Sequence, residues 1–197
     1  MKTQLSFVLA IICAMLITAC NDSGGTSQPI PTDLNGYTVT DLAGTSAAVA
    51  QKFNAAGKVI ENGYLIGGNK SGQWSTYDND GKISSVVNYI YGNKNGDELK
   101  FNSRGMIEAR NSFKNNTLDG LCGTYKNGRP IQEISYKNGQ FDGATKKYFN
   151  NGKIQQEINF KNGKQDGVFK YFNEEGNVTL EYMYKNGEKV SGGIVEK

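Results

Sequence analysis

Apolar and polar residues alternate along most of this chain, and the alternation is broken at fixed steps. After Gly152 the even offsets carry Ile154, Gln156, Ile158 and Phe160, with Lys153, Gln155, Glu157 and Asn159 between them. After Gly176 the same offsets carry Val178, Leu180, Tyr182 and Tyr184, and after Gly81 they carry Ile83, Ser85, Val87 and Tyr89. A period of two places each set on one face of a pleated strand. Asn-Gly pairs such as Asn151-Gly152 supply the positive φ angles of tight hairpin turns. They recur at Asn62, Asn95, Asn127, Asn138, Asn151, Asn162 and Asn186. The pattern predicts strand, turn, strand, turn, joined as an antiparallel meander with no room for a crossover helix.

The punctuation is periodic. Gly57, Gly81, Gly105, Gly128, Gly152 and Gly176 follow one another at steps of 24, 24, 23, 24 and 24 residues, and Gly72, Gly96, Gly120, Gly143 and Gly167 keep the same steps. An aromatic stands four residues before the turn glycine at Phe53, Tyr77, Phe101, Tyr148 and Phe172, and three before it at Tyr125, in the unit that is one residue short. Eight after it come Leu65, Tyr89, Phe113, Tyr136, Phe160 and Tyr184. Series in phase at such a period mark a stacked repeat architecture.

Composition favours an elongated array over a two-layer core, since 37% of the 197 residues are hydrophobic and 25 are glycine. Repeats contact only their neighbours, and stability is summed along the array. The phased tyrosines and phenylalanines then read first as core. The beginning of the chain is different. "MKTQLSFVLAIICAMLITAC" has an early cation, Lys2, an apolar run from Leu5 to Ile17 and small residues before Cys20, the layout of a signal peptide over residues 1–19. "LITAC" resembles the lipobox of bacterial lipoproteins, which implies that Cys20 is diacylated. Acyl chains anchor because each buried methylene contributes about 0.8 kcal/mol. Residues 20–36, rich in Gly, Ser, Thr, Pro and Asp, read as the lipidated cysteine and a flexible tether. Cys122 is then the free thiol of the mature protein, and it reads as a buried strand residue.

Charge and chemistry narrow the functions. The net charge is +3, falling to +2 without Lys2, and interleaved Lys and Glu at polar offsets read as a solvated sheet face. So sparse an excess on an exported chain argues against nucleic acid as a partner. The chain has no histidine, the commonest general base and metal ligand. "TYDNDG", Thr76 to Gly81, has Thr and Val87 where a calcium loop needs carboxylates, and reads as a turn. Asp119, Asp142 and Asp166 each precede a glycine at a fixed place in the unit, which also points to a turn role. The expectation is a non-enzyme with no catalytic residues, metal or cofactor.

The stretch "YKNGQFDGATKKYFNNGKIQQEINFKNGKQDGVFKYFNEEGN" resembles the bacterial variant of the MORN repeat found in YwqK-family antitoxins. The resemblance rests on the glycine of "DG", the aromatic of "KYF", the "NG" or "EG" turn and the junction "FKNG". It is close from Phe113 to Gly187 and looser from Tyr64 to Ser112. It implies an all-β fold, an elongated, curved single antiparallel sheet of tandem hairpin repeats that binds something along its face. Residues 64–197 form the array on this reading, and 37–63 a degenerate capping repeat in which Ala48 replaces a glycine. "GTSAAVAQKFNAAG" there offers a short helix as the alternative to a hairpin.

The functional expectation is an exported lipoprotein, held to the cell envelope by its N-terminal lipid. In a Gram-negative cell that is the outer membrane, on the periplasmic or surface face. There it acts as a protein-binding scaffold. Two alternatives come from other classes, an immunity or antitoxin protein whose partner is a toxin, and an envelope-active enzyme. Trp74, Phe169 and Tyr171 are the candidate partner-binding residues. They share the face opposite Gln73, Ser75 and Tyr77, and the expectation is that Trp74 is at least partly exposed there.

Overall fold

The computed structural model describes residues 33–195. The signal segment 1–19, Cys20 and most of the tether lie outside the described residues. All regular structure among the described residues is strand. The strands are β1 (Tyr37–Asp41), β2 (Ala47–Phe53), β3 (Val59–Ile66), β4 (Asn69–Tyr77), β5 (Ile83–Ile90), β6 (Asn93–Phe101), β7 (Ile107–Lys114), β8 (Thr117–Leu118), β9 (Gly120–Lys126), β10 (Arg129–Lys137), β11 (Gln140–Tyr148), β12 (Ile154–Lys161), β13 (Lys164–Phe172), β14 (Val178–Lys185) and β15 (Glu188–Ile194). They form one open antiparallel sheet in sequence order, with β7 paired to β9 and the two-residue β8 set beside β7. At about 4.8 Å per strand the path of fourteen strands covers roughly 65 Å. The helix alternative at the start is overturned, because Ala47–Phe53 is a strand hydrogen-bonded between β1 and β3.

Two kinds of turn alternate, one at each edge of the ribbon. At one edge sit two-residue turns with both φ angles positive, as at Asn138 (49°) and Gly139 (77°) and at Asn162 (50°) and Gly163 (77°). At the other edge a three-residue loop is closed by a glycine. Phe149 C=O accepts from Gly152 N–H at 2.9 Å, and Phe149 N–H donates to Lys153 C=O at 2.8 Å. Gly152 is left-handed (86°), and Asn151 is not among the positive-φ residues. Asn151-Gly152 is therefore a tight turn followed by a glycine bulge, and only its glycine has positive φ. The short unit has a local cause: β9 and β10 are joined by Asn127-Gly128 alone, a two-residue turn between the paired Lys126 and Arg129, where other units use three residues. Two of the expected Asn-Gly turns are not turns. Asn62-Gly63 lies inside β3 and Asn95-Gly96 inside β6, where Gly96 (92°) marks a bulge.

Successive units are stapled at both edges. The Asp119 carboxylate accepts the Asn138 N–H at 3.0 Å, Asp142 accepts Asn162 at 3.0 Å, and Asp166 accepts Asn186 at 3.2 Å. Each aspartate thereby caps the left-handed asparagine of the next turn, the turn role its spacing suggested. At the opposite edge the Nζ of Lys58, Lys82 and Lys153 donates to backbone carbonyls of the following loop, at Asn79 (3.0 Å), Ser103 (3.2 Å) and Glu175 (3.0 Å). The Asp78 side chain of "TYDNDG" accepts from the backbone N–H of Asp80 and Lys82, both at 2.9 Å, which confirms a turn.

The core lies at the N-terminal end. Ala48, Ala50, Leu65, Trp74 and Val87 form a buried cluster, with Leu34, Tyr37 and Tyr89 packed against it. Leu34, read from sequence as tether, is thus part of the folded body. Cys122 is buried in β9 as expected, and burial pushes its thiol pKa up.

Candidate partner-binding face

Cross-strand pairing carries one face across the whole sheet, because directly paired residues point the same way. Following the registers from Trp74 gives the row Trp74, Val87, Glu98, Asn111, Cys122, Ile134, Thr145, Ile158, Phe169, Tyr182 and Gly192. The next row on the same face contains Gln156, Tyr171 and Leu180. Trp74, Phe169 and Tyr171 therefore share a face, as the alternation implied. The phased aromatics Tyr89, Phe113, Tyr136, Phe160 and Tyr184 lie on it too, opposite Gly72, Gly96, Gly120, Gly143 and Gly167.

Trp74 does not have the expected exposure. It is 1% exposed and is the largest fully buried side chain among the described residues. The reason is local. Its indole lies over Gly63, meets Tyr37 and Tyr89 edge-on at 5.9 and 6.3 Å, and donates Nε1–H to Tyr64 C=O at 3.0 Å. Lys70 covers it, with Nζ 4.0 Å from the ring centroid and 2.7 Å from Glu61. Burial acts against the Glu61 carboxylate, but hydrogen bonds from Lys70 and Tyr37 outweigh it and hold its pKa below the usual value. Burial and the Glu61 contact push the Tyr37 hydroxyl pKa well up. A second such group follows one period on. Glu98 accepts from Lys94 at 2.6 Å and Asn111 at 2.9 Å, Lys94 lies 4.9 Å from the Phe113 ring, and the Glu98 pKa is also lowered against burial. Trp74 is a packing residue, closed in by Lys70, Tyr37 and Tyr89.

The same face opens in β10–β15. Tyr136, Phe141, Phe160, Phe169, Tyr171, Tyr182 and Tyr184 are all half-buried. Phe169 is the hub, with Tyr171 at 5.0 Å and Tyr184 at 6.1 Å edge-on and Tyr182 stacked at 6.0 Å. Phe141 bridges Tyr136 and Phe160, each at 5.2 Å. Lys147, Gln132, Gln156, Gln165 and Lys189 surround the rings, with Lys189 Nζ 4.1 Å from the Tyr182 ring, and no Asp or Glu falls on this face of β10–β15. Two of the three candidate residues thus come together in an open aromatic field. Tyr182, Tyr184 and Phe141 belong to it and are not among the candidate binding residues, Tyr184 reading from sequence with the phased aromatics as core. Their signal was the even-offset alternation, which put Tyr182 and Tyr184 in line with Ile158 and Phe160.

The other face carries charge. Glu133, Lys146, Glu157, Lys170 and Glu181 are paired strand to strand with alternating sign, and Lys170 meets Glu181 at 3.3 Å. Such exposed pairs contribute about 0–1 kcal/mol each. Tyr148 reaches back across this face to Glu133. Two grooves of about 420 and 380 Å³ lie there at equivalent places two periods apart, beside Tyr77 and Tyr125. No group of three or more His, Cys, Asp or Glu residues able to hold a metal ion occurs among the described residues.

A single-layer sheet of stapled hairpins defines a repeat protein. The repeat can be named: residues 70–91, 141–162 and 165–186 match the family described as "MORN repeat variant". The chain thus carries that repeat in three places, two of them in the open aromatic field. No curated protein matches this chain. Among solved structures, a crystal structure of a mutant S. aureus TarM in complex with Fondaparinux, alpha-GlcNAc-glycerol and UDP is similar, at 12% identity and a TM-score of 0.35. That alignment covers 55% of this chain and 21% of the other.

Proposed function

We propose that this protein is an exported, lipid-anchored scaffold whose aromatic field on β10–β15 captures a protein partner without chemistry of its own. The observation that carries this reading is the Phe169 hub: clustered, half-buried rings on hydrogen-bonded strands, with no second layer among the described residues and Lys189 over Tyr182 as the charge at the rings. Aromatic side chains held on a rigid support lose little entropy on binding and dominate protein interfaces. The lipobox-like "LITAC" and the composition of residues 20–36 support anchoring through Cys20. Neutralisation of a secreted toxin would be the same act of capture with one particular partner.

The test is capture from the native envelope by the full-length chain, compared with Phe169→Ala, Tyr171→Ala and the double variant. Loss of a specific partner, with melting temperature and circular dichroism retained, supports the proposal. Full capture by a folded double variant overturns it.

A further inference from the structure

Among the described residues the sheet ends at β15, whose charges, Glu188 and Lys189, stand at its first two positions. From Val190 to Val195 the edge reads "VSGGIV", with no charge and no proline, the residues that normally blunt a free strand. Ile194 is 81% exposed, the most exposed large apolar side chain among the described residues. Two residues away, Gly192 ends the row of Phe169 and Tyr182, so the last place in that row has no side chain. Glycine is required there, because its φ is 103° and a Cβ would stand 2.1 Å from the Glu181 carbonyl oxygen.

From this edge we infer that the protein forms a symmetric dimer in which two β15 strands pair antiparallel about Gly193, extending the sheet from one copy into the next. The backbone supplies the register. Val195 N–H donates inward to Thr179 C=O at 3.1 Å. By alternation Gly193 and Ser191 also point toward β14, whereas the N–H and C=O of Gly192 and Ile194 point away from the sheet. With Gly193 facing its own copy across the two-fold axis, Gly192 of each chain pairs with Ile194 of the other, and the outward groups exchange four hydrogen bonds. Ile194 and Gly192 are two residues apart and share a face, the face of Tyr182. Each Ile194 therefore lies on the Tyr182 face next to the other copy's Gly192, which puts no side chain in its way. The self-complementary patch is closed by its two-fold and does not propagate.

The experiment uses the full-length chain in detergent. The Cα atoms of a non-hydrogen-bonded antiparallel pair stand about 4.5 Å apart, within disulfide range, and a Cβ at Gly193 meets nothing within 4 Å. Gly193→Cys should therefore form a covalent dimer on diamide oxidation, and wild type should not. Light scattering should show wild type as a concentration-dependent dimer and Ile194→Asp as a monomer with unchanged melting. Monomeric wild type at every concentration overturns the inference, even if oxidation links the cysteine variant by collision. A dimer that survives Ile194→Asp, with Gly193→Cys unlinked, also overturns it, because association would then use another surface.

Discussion

A Cβ built on Gly63 would stand 2.3 Å from the indole of Trp74, so the widest side chain of the array occupies the space that the missing one leaves. Residue 63 is extended rather than left-handed, so the glycine is needed for close approach, not for a turn. Gly63→Ala should therefore lower the melting temperature sharply. Trp74→Ala removes the largest buried ring and should cost about 3–5 kcal/mol. In the double variant the clash is relieved, and its loss should be clearly smaller than the sum of the two. Denaturant unfolding of the three variants measures the coupling.

Acid should loosen the N-terminal half first. Glu61 and Glu98 have folded pKa values below the ordinary 4.5. A depressed carboxylate contributes stability that is fully present above its unfolded pKa and disappears as pH falls through its folded one. Stability should thus hold from neutral pH to about 5 and then fall. Glu61→Gln and Glu98→Gln should be less stable at pH 7 and show a shallower acid decline. Urea midpoints measured across that range decide it.

The Asp142 carboxylate accepts the Asn162 N–H and so ties one unit to the next. Asp142→Ala leaves the Asn162 N–H without its acceptor and should cost about 1 kcal/mol, the usual net value of such a bond. Asp142→Asn, which keeps an acceptor oxygen, should recover part of it, as read by melting temperature.

Removing residues 143–166 joins Asp142 directly to Gly167. The deletion excises one complete period, and the Asp142 carboxylate then stands where Asp166 capped Asn186. The shortened chain should fold with its remaining ladder in register. Circular dichroism and a single cooperative melt would show this, whereas a deletion of half that length should unfold the C-terminal strands.

Cys20→Ser should leave the precursor unprocessed and without acyl chains. Mass determination of the N-terminus in the wild type and the variant reads both effects. A wild-type N-terminus that carries no acyl chains at Cys20 would refute anchoring through this residue.

The repeat was legible because glycine and aromatic positions are set by the local backbone. Gly152 and Gly176 close loops that a left-handed residue completes, and Tyr89, Phe113 and Phe160 are paired across the ladder with Gly72, Gly96 and Gly143. What the sequence hid was the assignment of faces to burial. Alternation placed Val87 and Tyr89 on one face, and the pairing of Gly72 with Tyr89 brings Trp74 onto it. That pairing is a relation between strands and is not written within either one. Asn62-Gly63 misled for the same reason. As a dipeptide it has turn chemistry, but the indole on the adjacent strand makes it a straight segment. The Phe169 field was half visible, since the shared face of Phe169 and Tyr171 follows from their spacing, while their exposure depends on no second layer covering them.

The order of strands in the sheet follows the order of the chain, and this fixes how the molecule can assemble. Among the described residues no ladder awaits a distant segment, so each closure spans about one period or less and carries a small entropic cost. Contact order is low for an all-β protein, and the slow step typical of sandwiches and barrels is absent. A polypeptide delivered N-terminus first completes the Ala48–Trp74–Val87 cluster with its first five strands. Each later hairpin then meets a finished edge and adds to it, so the array grows in the direction in which it is made.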